Sequence, residues 1–328
     1  MLFFNMMIIG TLISISAYNW MSMWMGLEIN LLSIIPLFKS TLNQYSTESM
    51  IKYFLTQTLA SIFILYIVIN MMNKSELMTM NNFLNVMIMN SALLTKLGAA
   101  PFHWWFPEVM EGLDWKSNFL LLTWQKIAPS ILLMYMMNTS FIMYIIIISS
   151  LIGGIMGLNQ MSLRKLLTYS SINHMGWMLS SMMFFKTIWL NYFFIYSIIN
   201  FNMISIFYYF NIYYMNQIHL IFTQNKLLKL MFMMNLFSLG GLPPFLGFYP
   251  KWLVLNMLIS NQFYFISLIL VVLTLITLFY YIRLTFSSLT LSMHEMYLNL
   301  NFKKKNILVA NLIVLNSLPI SMNLFNIL

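Results

Sequence analysis

The sequence predicts an all-α polytopic membrane protein, and three observations predict it. Of 328 residues, 61% are hydrophobic and 7% charged, with 28 Phe and a mean hydropathy of +0.81. That is more apolar side chain than one soluble core can hide. Apolar runs of about 20 residues, the length an α-helix needs to cross roughly 30 Å of hydrocarbon, recur along the chain. The strict alternation of a membrane β-barrel is absent.

In chain order the candidate spans are 2–18, 20–38, 50–72, 82–99, 117–137, 141–158, 166–185, 188–213, 227–247, 261–286 and 307–326, about eleven transmembrane helices. Their connections are short and polar, as in Lys39 to Gln44 and Asn159 to Lys165. No soluble domain fits between them, so residues 1–328 read as a single transmembrane domain. Residues 288–302 set Leu291, Met293, Met296, Tyr297 and Leu300 beside polar residues, which reads as an interfacial segment before a last span.

Basic residues sort by side. Loops on the side of the N-terminus hold Lys39, Lys52, Lys116, Arg164, Lys165, Lys226, Lys229, Arg283, Lys303, Lys304 and Lys305, whereas the opposite loops hold Lys74 and Lys186. The positive-inside bias places the N-terminus on the non-translocated side and, with an odd number of spans, the C-terminus across the membrane. A net charge of +9 spread over separate loops suits anionic lipid and gives no reason to infer nucleic-acid binding. The chain opens on Met1-Leu-Phe-Phe, so no targeting segment is expected. With no Cys and with His103, His174, His219 and His294 dispersed, neither a thiolate site nor a metal cluster is expected in this chain.

Against this background Glu28, Lys96, Lys126 and Lys251 stand out. An ionisable side chain at the bilayer centre costs roughly 2.5–3.5 kcal/mol on insertion scales, which points to ion or proton chemistry. Lysine suits a relay because its proton affinity responds to burial and to a nearby carboxylate, while arginine stays charged. Snorkelling towards an interface is the alternative, strongest for Lys251 beside Pro250. His103 is equally suited to capping carbonyls and to moving protons, and Glu108, Glu111, Asp114 and Lys116 read as a solvated loop.

An offset of 143 residues carries Gly98, Pro101, Phe102, Phe106 and Pro107 onto Gly241, Pro244, Phe245, Tyr249 and Pro250. The two copies fall five spans apart, and an odd interval implies repeats of opposite topology, 1–137 and 141–286, with an interfacial loop at 287–306 and an extra span at 307–328. Broken helices at matching positions of inverted repeats mark secondary transporters. Chance similarity of two Pro/Gly-rich stretches is the alternative.

Six segments carry a resemblance: Gly26-Leu-Glu-Ile-Asn30, Lys52-Tyr-Phe-Leu-Thr-Gln57, Lys96-Leu-Gly-Ala-Ala-Pro-Phe-His103, Leu122-Thr-Trp-Gln-Lys-Ile-Ala-Pro129, Arg164 to Trp177, and Leu239 to Trp252. In order from residue 1 to about 285, the chain resembles the family of subunit 2 of mitochondrial NADH:ubiquinone oxidoreductase, respiratory complex I. That family is antiporter-like and belongs to the proton-pumping membrane arm. The resemblance implies a proton relay in which Glu28 pairs with Lys96, Lys126 links a first half-channel to the central polar axis, His174 lies on that axis and Lys251 sits at the second broken helix. It further implies that NADH, FMN, iron–sulfur clusters and ubiquinone are handled by other subunits, with none of these cofactors in this chain. Other membrane-arm subunits and phospholipids, cardiolipin among them, are the implied partners, and the mitochondrial inner membrane the location, with the N-terminus on the matrix side. An AT-rich organellar genome would also account for 33 Met. Two rival classes remain: a cation/proton antiporter subunit, and a scaffold whose buried charges only lock helices together.

Overall fold

The computed structural model describes residues 1–39, 44–73, 80–218 and 226–290. Among the described residues the regular structure is helical, apart from an isolated antiparallel bridge between Ser162 and Tyr214. They form two compact units, Met1–Ser149 and Ser150 onward.

The first unit contains α1 (Leu2–Ser16), α2 (Trp20–Phe38), α3 (Gln44–Asn73), α4 (Met80–Leu97), α5 (Trp105–Gly112), α6 (Trp115–Leu122), α7 (Trp124–Tyr135) and most of α8 (Thr139–Gly157). Its outer surface is apolar, unlike that of a soluble protein. On α3 the large apolar residues Ile51, Leu55, Leu59, Ile62, Tyr66 and Ile69 face outward, while Ser46, Ser49, Gln57 and Ser61 are buried. Lipid is as apolar as leucine, so the inward face of such a helix is chosen for close fit and hydrogen bonding. α1 and α2 cross where a Cβ on Gly10 would lie 3.1 Å from Gly26 O, and one on Gly26 2.9 Å from Gly10 O. This crossing fixes the height of Glu28 and Asn30 on α2.

The second unit contains the end of α8, then α9 (Leu163–Met182), α10 (Lys186–Phe210), a 3₁₀ turn (Met215–Ile218), α11 (Lys226–Gly240), α12 (Phe248–Ser260) and α13 (Tyr264–Thr290). α9 is buried from Leu166 to Met182 although it carries Thr168, Ser170, Ser171, Asn173, His174, Ser180 and Ser181. Gly153 of α8 permits this packing, since a Cβ there would come within 2.6 Å of Asn173 N and 2.7 Å of Tyr169 O.

Among the described residues, five helices are long and apolar enough to cross a membrane: Trp20–Phe38, Gln44–Met72, Thr139–Gly157, Lys186–Phe210 and Tyr264–Phe286. The expected eleven exceed this number for physical reasons. α1 has 15 residues, α9 is rich in hydroxyls and amides, and three of the expected spans are not single helices. Segment 117–137 is split at Thr123 (φ −117°, ψ −73°), a break the sequence reading did not anticipate. The other two, 82–99 and 227–247, end at Leu97 and Gly240 and resume as α5 and α12. Lys52, expected in a loop, lies inside α3 and reaches Glu48 at 3.2 Å and Glu108 of α5 at 2.9 Å. The expectations for Lys74, His219, His294, Lys303 to Lys305, the segment 291–306 and the last span lie outside the described residues.

Candidate functional site

The two helix breaks share one backbone design. α4 ends with Ala99 N donating to Leu94 O and Gly98 N to Thr95 O, and α11 ends with Leu242 N donating to Phe237 O and Gly241 N to Ser238 O. Both are Schellman caps, which place the residue after the helix in the left-handed region. Gly98 (φ +71°) and Gly241 (φ +81°) fill that position, where a Cβ would be strained. The loops then repeat the same turns: Phe102 N to Ala99 O and Phe106 N to His103 O in one, Phe245 N to Leu242 O and Tyr249 N to Leu246 O in the other. Ala100-Pro101 and Pro243-Pro244 are cis. An offset of 143 therefore maps hydrogen bonds as well as residue types.

The side chains at the breaks differ. At the first, Trp105 Nε1 donates to Thr95 O at 3.0 Å, taking up a carbonyl of the last turn of α4. At the second, Lys251 Nζ donates to Gly240 O at 2.9 Å and Leu239 O at 3.3 Å. A cation at a helix C-terminus faces the negative end of the helix dipole. Lys251 is buried, so its Nζ meets these backbone carbonyls inside the protein. A Cβ on Gly241 would sit 2.7 Å from that Nζ, so the glycine also makes room for the ammonium.

Lys96 occupies the last turn of α4 and is 7% exposed. Glu28 is the charge that acts on it, across more than the 4 Å of a direct ion pair. Glu28 Oε1 is sealed from solvent and makes no hydrogen bond. A buried carboxylate oxygen in that state carries a desolvation cost. Beside Lys96 lies a small cavity, about the size of one water molecule, lined by Asn30, Tyr53, Gln57 and Gln125 among others. Asn30 Nδ2 donates to Gln125 Oε1 at 3.1 Å, Gln125 Nε2 donates back to Asn30 Oδ1 at 2.9 Å, and Tyr53 OH donates to Gln125 Oε1 at 3.3 Å.

Lys126 follows Gln125 by one residue, just after the Thr123 break, and is 3% exposed. Its Nζ stands 5.3 Å from the centroid of the Phe106 ring. That ring packs against Gly98, where a Cβ would meet it at 3.3 Å. Lys126 is thus tied through one aromatic ring to the break that Lys96 precedes. Thr123 Oγ1 donates to Phe119 O at 2.7 Å and Lys126 N donates to Thr123 O at 3.1 Å, so the break keeps its hydrogen bonds.

In the second unit His174 is buried, with Nδ1 2.8 Å from Tyr192 OH. A second small cavity joins His174, Tyr192 and Tyr196 to Ser238, Leu239, Gly247 and Pro250, the walls of the second break. His103 Nδ1 faces Pro101 O at 3.3 Å, a contact with a carbonyl.

The structure therefore gathers Glu28, Lys96 and Lys126 in the first unit, and His174 with the Lys251 break in the second. Sequence reasoning missed Asn30, Tyr53, Gln57, Gln125 and Tyr192 as members of these sites. Their one available signal was a polar type inside an apolar run, next to a residue already singled out.

Residues 17–277 match the family model described as NADH:quinone oxidoreductase/Mrp antiporter, transmembrane. A protein of Anopheles gambiae, NADH-ubiquinone oxidoreductase chain 2, is 50% identical over 280 residues, covering 84% of this chain and 82% of its own. A chain of respiratory complex I from Thermus thermophilus superposes with a TM-score of 0.82 at 20% identity, over 96% of this chain and 78% of that one. A chain of the Mrp complex from Dietzia sp. superposes with a TM-score of 0.74 at 14% identity, over 85% and 58%.

Proposed function

This chain belongs to the NADH-ubiquinone oxidoreductase chain 2 family, within the NADH:quinone oxidoreductase/Mrp antiporter membrane proteins, and from that premise we propose that it translocates protons in the membrane arm of complex I. The observation that carries the reading is a buried lysine at or beside each helix interruption: Lys96 before the first, Lys126 after Thr123 and Lys251 at the second. A lysine held inside hydrocarbon depth is a costly residue whose worth lies in gaining and losing a proton.

In this reading the relay of the first unit is Glu28, Lys96 and Lys126, and that of the second is His174 and Lys251. A shift of Glu28 relative to Lys96 changes how well the ammonium form is supported. With about 1.4 kcal/mol for each tenfold change in proton affinity, modest movement is enough to release a proton to a neighbour. The amide pair of Asn30 and Gln125, with Tyr53, holds the space beside Lys96 open to one water. Its function is to position.

Electron transfer from NADH to ubiquinone takes place on other subunits, which carry the flavin and iron–sulfur groups. The chain acts as part of a proton-translocating NADH:ubiquinone reductase in the mitochondrial inner membrane, with other membrane-arm subunits and phospholipids as neighbours. We place the N-terminus on the matrix side. The units form inverted repeats, and α1, α9 and the paired helices α4–α5, α6–α7 and α11–α12 also cross the bilayer. The likeness of the Mrp complex chain supports a second reading, a cation/proton antiporter subunit. Native purification separates the two: a large NADH-oxidising assembly supports the first, and a small assembly exchanging cations for protons supports the second. Within the assembly, Lys96→Ala is expected to abolish coupled proton pumping. Pumping at the wild-type rate would remove Lys96 from the relay.

A further inference from the structure

Beyond His174 the second unit holds a set of buried polar side chains that the relay does not use. α10 presents Tyr192, Tyr196 and Asn200 at four-residue intervals, on one face, all buried. α9 adds Ser170 and Ser171, one turn before His174, and α13 adds Tyr280 and Tyr281, whose rings lie 4.7 Å apart. The groups adjoin one another. Tyr196 lies against Ser171 and Asn200, and Ser170 lies against Tyr280 and Tyr281. The Tyr196 ring also lies 5.1 Å from the His174 ring, tilted by 51°.

The set has a direction. Pairing of His174 with Tyr192 and of Ser171 with Tyr196 means that α9 and α10 run antiparallel, so the groups climb from His174 towards the start of α9 and the end of α10. At that end Arg164 lies over the Tyr213 ring at 4.7 Å, and Arg283, two residues after Tyr281, reaches Met215 Sδ at 3.8 Å. Both arginines therefore meet the segment between α10 and α11.

Helix packing alone does not account for this chemistry. Ser170 Oγ and Ser171 Oγ donate to Leu167 O and Thr168 O, which leaves their lone pairs turned to the cluster. The hydroxyls of Tyr280 and Tyr281 and the amide nitrogen of Asn200 are sealed from solvent, set against Ser170, Tyr196 and one another. Buried polar atoms in native proteins find partners, and in a polar cluster those partners include ordered water.

We propose that this cluster of α9, α10 and α13 is a hydrated hydroxyl relay carrying protons between His174 and the membrane face marked by Arg164 and Arg283. The proposal rests on the proton-translocation reading above and names its exchange route in the second unit. Each step conserves charge and atoms: a hydroxyl oxygen accepts a proton on a lone pair and releases its own proton to the next acceptor, ending neutral. At the inner end Tyr192 gives a proton to His174 Nδ1 and takes one from the next group, and the imidazole passes a proton on from its other nitrogen.

Tyr281→Phe and Ser170→Ala test it, each in the assembled complex, with protons pumped per NADH oxidised as the readout and NADH oxidation by an artificial acceptor as a control. Both variants should assemble and feed electrons normally while pumping several-fold fewer protons per NADH. A packing role would change stability and leave that ratio untouched. If Tyr281→Phe fails to assemble, Ser171→Ala carries the test in its place. A wild-type ratio in these variants, with pumping lost in Lys126→Ala measured alongside, overturns the hydroxyl relay and leaves the pump standing. A wild-type ratio in all of them overturns both.

Discussion

At the scale of single residues, the amide pair of Asn30 and Gln125 makes the sharpest claim. Each amide is buried and each satisfies the other, so Asn30→Leu leaves Gln125 without its partner at a cost of roughly 1–3 kcal/mol. The expected result is a lower melting temperature of the purified assembly, substantially restored in Asn30→Leu/Gln125→Leu. Additive losses in the double variant would show that the pair is not coupled. Glu28, Lys96, Lys126 and Lys251 were visible in the sequence because a charge in an apolar run is costly and stands out from its neighbours. Gln125 was not, since an uncharged amide costs less to bury and its partner is 95 residues away. Lys251 is instructive in another way. Its chain neighbours suggested a loop, and only the fold shows its ammonium seated on the last carbonyls of α11.

At the scale of elements, glycines decide what can approach what. Gly241→Ala forces both a strained backbone and a displaced Lys251, whereas Gly98→Ala adds strain and presses on a ring at 3.3 Å. Proton pumping should therefore fall further in Gly241→Ala than in Gly98→Ala, at equal assembly on a native gel; equal losses would contradict the seating of Lys251. The break in α4–α5 and that in α11–α12 were legible because proline and glycine announce them. The break at Thr123 was not. Its flanking residues suit a continuous helix, and its geometry comes from tertiary packing and from a threonine hydroxyl that returns to Phe119 O. α9 shows the same limit from the other side: hydropathy undervalues a helix that is buried among helices and so can carry serine, asparagine and histidine.

At the scale of the whole molecule, α9 gives a test of topology. Twenty residues at about 1.5 Å each reach roughly 30 Å, the thickness of the hydrocarbon core. The natural chain has no cysteine, so single cysteines report cleanly. Lys165→Cys and Lys186→Cys should react with a membrane-impermeant thiol reagent from opposite sides, Lys165→Cys from the side rich in basic loops. Labelling from one side would mean that α9 does not cross. The all-helical class and the family were open to sequence reading because composition and six motifs carry them.

The central claim is that buried lysines in this chain move protons, and Lys126→Ala in the assembled complex tests it most directly. With assembly verified on a native gel, coupled NADH:ubiquinone turnover and proton pumping should be lost, while NADH oxidation by an artificial acceptor continues. Normal turnover and normal pumping in an intact complex would contradict the relay and leave the buried charges as structural fasteners.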